Sequence, residues 1–166
     1  MRYLRKFNES EDFTDKIFSL IDSEDESNRE LGFELIKSQP VKSKVLEELI
    51  GKVFSSVNAD KENLYFISDN DKSYIFYHEQ DCCEYVTIED IDGDLNDLVG
   101  TPILKAEEVT KQDINAYEYG YWTFYKFSTI KGYVTVRWYG HSNVYYSVSV
   151  RMCEYDPQTK QILNDW

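Results

Sequence analysis

The sequence predicts an α+β fold, with short amphipathic helices at the N-terminus followed by a mainly antiparallel β-sheet of about five to seven strands. Three observations carry this. Apolar residues recur at helical spacing up to Val53, and from Asn63 the period falls to two. The β-rich runs are also separated by breaks too short for a parallel crossover.

After the basic leader MRYLRKFNES, Phe13, Ile17, Leu20 and Ile21 follow i, i+4, i+7, i+8 spacing, which predicts a helix over 11–21. A polar break at 22–26 leads to Ser27 with Glu30 three residues on, a capping-box pattern that opens a helix over about 27–38. Its apolar side is Leu31, Leu35 and Ile36. Pro40 suits the first turn of a third helix, in which Val45, Leu46, Leu49, Ile50 and Val53 line one stripe. Helices this short do not stand alone, so they are expected to pack on each other and on one sheet face. Residues 1–56 form the helical segment and 57–166 the β-rich domain, within one compact unit.

NLYFIS (63–68) and SYIFYH (73–78) are strand patterns separated by the turn formers of 69–72. CCEYVTI (82–88) is a third run. Residues 94–99 predict one helical turn capped by Asp94 and closed by Gly100 and Pro102. A strand over 103–109 and a loop over 111–120 follow.

The stretch 121–152 is the organising one. It holds three β-rich runs broken at Lys131-Gly132 and at 140–143, and so predicts a three-stranded meander. Val134, Val136 and Trp138 alternate with Tyr133, Thr135, Arg137 and Tyr139. Val144, Tyr146, Val148, Val150 and Met152 alternate with Tyr145, Ser147, Ser149 and Arg151. Each run thus has an apolar face and a polar, Tyr-bearing one. Beyond a turn at Asp156-Pro157 the tail shows little pattern.

At 166 residues the chain can bury roughly 70% of the surface its unfolded form exposes, so no disulfide or metal is needed for folding. No apolar run approaches the roughly 20 residues of a membrane span, and the leader has no apolar core of a secretion signal. Three Cys, two of them adjacent, make no disulfide framework and point to a reducing cytoplasm. The net charge is −13. Residues 61–120 carry 4 basic and 15 acidic side chains, whereas 121–166 carry 5 and 3. Glu79, Asp81, Glu84, Glu89, Asp90, Asp92, Asp94 and Asp97 fall in a stretch with no Lys or Arg. Such a field repels phosphate and anionic lipid, which argues against direct nucleic-acid or membrane binding and for a basic protein partner. The plainer reading is a solvated surface that aids solubility.

His78, Cys82, Cys83, His141 and Cys153 invite a zinc site, but adjacent Cys on a strand point to opposite faces, and buried thiols are expected. An EF-hand template over the Asp90–Asp97 region puts Ile88 and Val99 at the anchoring positions and fails. A Cys–His nucleophile pair is opposed by Glu79, Asp81 and Glu84, which disfavour a thiolate. No cofactor motif is present. The remaining constellation is His78, Arg137, Tyr139, His141, Ser142, Asn143 and Tyr145. Arg137 framed by Tyr faces suits a small anion or a partner's carboxylate, and the competing reading is an internal ion pair with an acid such as Glu84.

Residues 78–108, beginning HEQDCCEYVTIEDIDGDL, and 121–150, containing RWYGHSNVYYSVSV, resemble an uncharacterised domain family common in tailed-phage genomes. Val144 stands where the family pattern has Gly. The opening MRYLRKFNES is similar to leaders of otherwise unrelated phage proteins. The resemblance implies a phage origin and supplies no activity, so no catalytic role is carried over.

The function expected is a non-enzymatic, phage-encoded acidic protein of the host cytoplasm, engaging and occluding a basic host protein. Two alternatives stand beside it: a small-ligand binder or enzyme with a pocket around Arg137, and an internal protein packaged in the virion.

Overall fold

The computed structural model describes residue 27, residues 44–116 and residues 119–164. The chain divides into two compact units, 1–39 and 40–166, and apart from Ser27 the described residues belong to the second. The helices expected at 11–21 and 27–38 lie outside the described residues, save that Ser27 itself is helical.

Among the described residues the architecture is β-rich, with very little helix. Nine strands form two antiparallel sheets where the sequence led us to expect one of five to seven. The strands are β1 (Ser56–Ala59), β2 (Asn63–Ile67), β3 (Ser73–Tyr77), β4 (Glu84–Asp92), β5 (Lys105–Gln112), β6 (Tyr119–Ser128), β7 (Tyr133–Ser142), β8 (Arg151–Asp156) and β9 (Gln161–Asn164). One sheet runs β4-β7-β6-β5 and the other β1-β2-β3-β8-β9.

The stripe expected to make a third helix yields one turn, α1 (Lys44–Glu47). Gly51 lies at φ 81°, a backbone conformation that ends a helix readily, and the chain turns extended beyond it. Residues 50–54 then bridge to 99–103, with Gly51 N–H donating to Ile103 O at 2.8 Å and Gly100 N–H to Phe54 O at 2.9 Å. Leu46, Leu49 and Phe54 are buried, while Ile50 and Val53 are exposed.

The hairpin β2–β3 forms as the pattern predicts, and β3, a central strand, buries both its faces. Asp94 caps a 3₁₀ turn at Leu95–Leu98 by accepting from Asn96 N–H. Residues 111–112, expected in a loop, extend β5. The strands β1 and β9 lie in stretches where the sequence showed no clear pattern.

The meander is the main correction. Strands β6 and β7 pair as expected and β7 alternates buried and exposed without a slip, but the third run does not join them. Residues 143–150 cross to the other sheet, where β8 pairs with β3. The alternation holds from Val148 onward, with Val148, Val150 and Met152 buried, whereas Val144, expected on the same face, is exposed and Tyr146 only half-buried, because the chain turns there. One buried face is what periodicity reports; which sheet supplies the cover is a tertiary matter.

The sheets meet through aromatic rings. Phe66 packs edge-on against Phe127 at 5.0 Å between centroids, and Phe76 against Tyr125 at 4.9 Å and Phe127 at 5.7 Å. Trp138, Val134 and Val136 complete the inner face of β7. The crossover fits closely over β7, because a Cβ at Gly140 would lie 2.6 Å from Val148 Cβ.

Val144 has φ 78°, a left-handed conformation that favours glycine, here taken by a β-branched residue that is 68% exposed. Such a residue costs about 1–2 kcal/mol in this region relative to glycine. Val144→Gly is therefore expected to raise the thermal midpoint, and scanning calorimetry of the two proteins checks it.

Candidate functional site

The acidic stretch becomes the edge strand β4 and the turns at its two ends. Charged side chains on an edge strand block pairing with another chain, so part of this acidity is explained by the fold alone. A register shift between Ile88 and Asp90 leaves Glu89 as the extra residue of a bulge and sets Asp90 opposite Arg137. The Arg137 guanidinium donates to the Asp90 carboxylate. This is the internal ion pair weighed for Arg137, formed with Asp90 rather than Glu84. Both partners keep more than 40% of their side-chain exposure, so the pair adds little stability.

The remaining acids divide by role. Asp94 is occupied as a cap, and Glu79 lies 3.5 Å from Arg151. Asp81, Glu89 and Asp92 are exposed, and Asp97 is half-buried beneath Gly132. Glu84 has moved inside, its side chain 1% exposed. Its carboxylate accepts the backbone N–H groups of Asp81 and Cys83, the latter at 3.0 Å. The 81–83 turn is thereby folded around one carboxylate.

His78 completes this clasp. Its Nδ1 lies 2.9 Å from Ser149 O, an atom that only accepts, so the ring carries a proton at Nδ1. Its Nε2 edge faces Glu84 Oε1 at 3.4 Å. The Asp81 N–H, helped by the Cys83 N–H and by His78, holds the Glu84 carboxyl below the usual carboxylate range against the opposing effect of burial.

Cys82 and Cys83 precede β4 instead of beginning it. They are exposed and joined to each other in a vicinal disulfide, not the buried thiols expected, because the chain bends there. Cys153 is the buried one. Among the described residues no group of three or more His, Cys, Asp or Glu is arranged to hold a metal ion.

Two clefts flank the crossover. The first, about 440 Å³, is lined by His78, Glu79, Gln80, Glu84, Ser149 and Arg151 among others. The second, about 380 Å³, lies between the inner face of β5–β6 and residues 144–150. The seven residues grouped around Arg137 are not brought together. His78 lines the first cleft and Tyr145 the second. Arg137, Tyr139 and His141 share the opposite face of β7 from Trp138 and Ser142. There the Tyr139 ring lies tilted by 49° against Trp122, 4.6 Å between centroids, and its hydroxyl donates to Asp113 at 3.0 Å. Ser142 is buried, its hydroxyl donating to Tyr146 O at 2.9 Å. Asn143 accepts from Tyr145 N–H in the turn.

Sequence reasoning set Ser147 beside Tyr145 in the Arg137 constellation, but passed over Gln80, Ser149 and Arg151 in the first cleft and Glu108, Tyr119 and Tyr121 in the second. Their signal was only the polar side of an alternating run. What makes them cleft residues is the crossover, which no local pattern announces.

A family model described as a domain of unknown function, DUF7448, matches residues 47–152. That is more than half of the chain, and the chain belongs to this family. The match spans the bridged segment at 50–54, the 78–84 clasp and the crossover as far as Met152. No curated protein matches the chain, and no solved structure does.

Glu84 contributes stability above its unfolded-state pKa, and this is lost as pH falls through its lower folded value. Glu84→Gln is expected to lower the urea midpoint at pH 7. It should also shrink the midpoint difference between pH 7 and pH 3, which paired urea titrations measure.

Proposed function

We propose that this protein is a non-enzymatic interaction module whose acidic edge engages a basic surface on another protein. The observation that carries the reading is the exposure of Glu89, Asp92 and Asp94 along and beyond β4. Of the nearby cations, Arg137 is paired with Asp90, and Lys131, held by the carbonyls of Asn96 and Val99, is one charge against three exposed carboxylates. The exposed carboxylates therefore keep a negative field that a basic partner can neutralise. The phage origin implied by the two sequence blocks sets the encounter in the cytoplasm of an infected host, where covering a nucleic-acid-binding protein's basic face would occlude it.

A second reading is favoured by one observation, the cleft of about 440 Å³ beside His78 and Glu84. A small-ligand site there would use Arg151 and Gln80, and would leave Arg137 out. Both ring nitrogens of His78 face protein acceptors, and the Ser147 and Ser149 hydroxyls bond to each other at 2.8 Å. That arrangement suits binding better than proton transfer to a substrate.

The test is affinity capture from host lysate with the native chain and with a Glu89→Lys, Asp92→Lys, Asp94→Lys variant, each at low and high salt. Basic proteins retained by the native bait, lost with the variant and released by roughly 1 M salt are expected, since the Debye length is then about 3 Å. Retention indifferent to both the substitutions and the salt would remove the electrostatic basis.

A further inference from the structure

The second cleft is chemically unlike the first. It lies at the β5 edge of its sheet, with β4 at the other edge. Its walls are the inward side of β5 and β6 and the crossover, and they present Tyr119, Tyr121, Tyr145 and Tyr146 with Val148. The Tyr119 and Tyr121 rings sit 4.7 Å apart, tilted by 40°. Glu108 is the one charged side chain of the lining, for no Lys, Arg or His is part of it. The two lysines of its strand, Lys105 and Lys111, each stand three residues from Glu108 and so alternate to the other face of β5, and neither lines the cleft.

Glu108 faces Tyr125 across the β5–β6 pair. The Tyr125 hydroxyl has a single proton, and Val150 O competes for it at 3.3 Å. Burial raises the Glu108 carboxyl above the ordinary carboxylate range, with the Tyr125 hydroxyl only partly opposing it. A half-buried carboxylate without a cation is a costly arrangement for stability alone. A ligand that supplied the missing charge would relieve it.

We propose that this cleft binds an organic cation, a guanidinium or alkylammonium group that lies against the tyrosine faces and donates its N–H groups to the Glu108 carboxylate. Aromatic faces attract such cations through the ring quadrupole, and a carboxylate accepts from a guanidinium in a two-pronged geometry. A volume of about 380 Å³ admits a small molecule of this kind or the end of a basic side chain. The site is independent of the acidic β4 edge.

The experiment is a titration of the full chain with butylguanidinium and, separately, with butylurea, its neutral counterpart of nearly the same shape, followed by NMR shifts of the tyrosine rings. Saturable shifts at Tyr119 and Tyr121 with butylguanidinium, at least about ten-fold tighter than with butylurea, are expected from the charge-assisted contact. Glu108→Gln should remove most of the preference for butylguanidinium, leaving only what the tyrosine faces supply, while the β4 triple-lysine variant should bind butylguanidinium as the native chain does. Equal affinity of the two ligands for the native chain would overturn the proposal, and that comparison does not depend on how any variant folds. A free cation and a basic side chain are told apart by repeating the titration with an arginine-bearing tripeptide: tighter binding than butylguanidinium assigns the site to a protein partner, equal or weaker binding to a small molecule.

Discussion

The edge-to-face seam of Phe66 and Phe76 against Tyr125 and Phe127 is the interaction on which the rest of the structure depends. Two sheets of this size have no reason to associate except to cover their apolar faces. Rings from β2 and β3 meeting rings from β6 do so over a large area with a preferred geometry. Phe54 extends the seam at one end, 5.0 Å from Phe66, and is held there by the bridge to 99–103. The one-turn helix and the 3₁₀ turn, through Leu46, Leu49 and Leu98, fill in around it.

From that seam follows the path of the crossover. Once β3 lies opposite β6, a chain leaving the end of β7 reaches the open side of β3 by passing over the sandwich edge. Residues 143–150 take this path. Their backbone forms no ladder there, and side chains hold them instead: Val148 on Gly140, Ser142 on Tyr146 O, and Tyr125 on Val150 O. A segment held in this way leaves gaps on both sides. The first gap is closed by the His78–Glu84 clasp, the second by the tyrosines around Glu108. The family match, residues 47–152, takes in both the clasp and the crossover.

Much of the local structure was legible in the sequence. The alternation of Tyr133 to Tyr139, the turn at 69–72 and the Asp94 cap are short-range patterns, and each produced the expected element. Partner choice between strands was not legible. Val148 and Val150 read the same whether β7 or the second sheet covers them. The apparent helix stripe through Ile50 and Val53 failed because Gly51 interrupts it, a single residue outweighing the spacing of five. Of the site, an internal ion pair was one of two readings weighed for Arg137, with Glu84 as the suggested acid, and the actual partner, Asp90, is set opposite it by the bulge at Glu89. Glu84 was grouped with the surface acids and suggested as a partner for Arg137, and it is neither. Only the turn at 81–83, which offers it the backbone N–H groups of Asp81 and Cys83, takes it indoors. The opposing edges of one sheet thus differ, one carrying exposed carboxylates and the other a tyrosine-lined cleft with a single acid, and the two binding proposals rest on that difference.

The most direct measurement is a set of backbone NOEs that identifies the neighbour of the last long run. Cross-strand contacts from Ile75 and Phe76 to Cys153 and Met152 are expected, with none linking residues 144–150 in ladder register to 133–139. Contacts pairing 144–150 with β7 as a third meander strand would contradict the crossover, and with it the seam and both clefts.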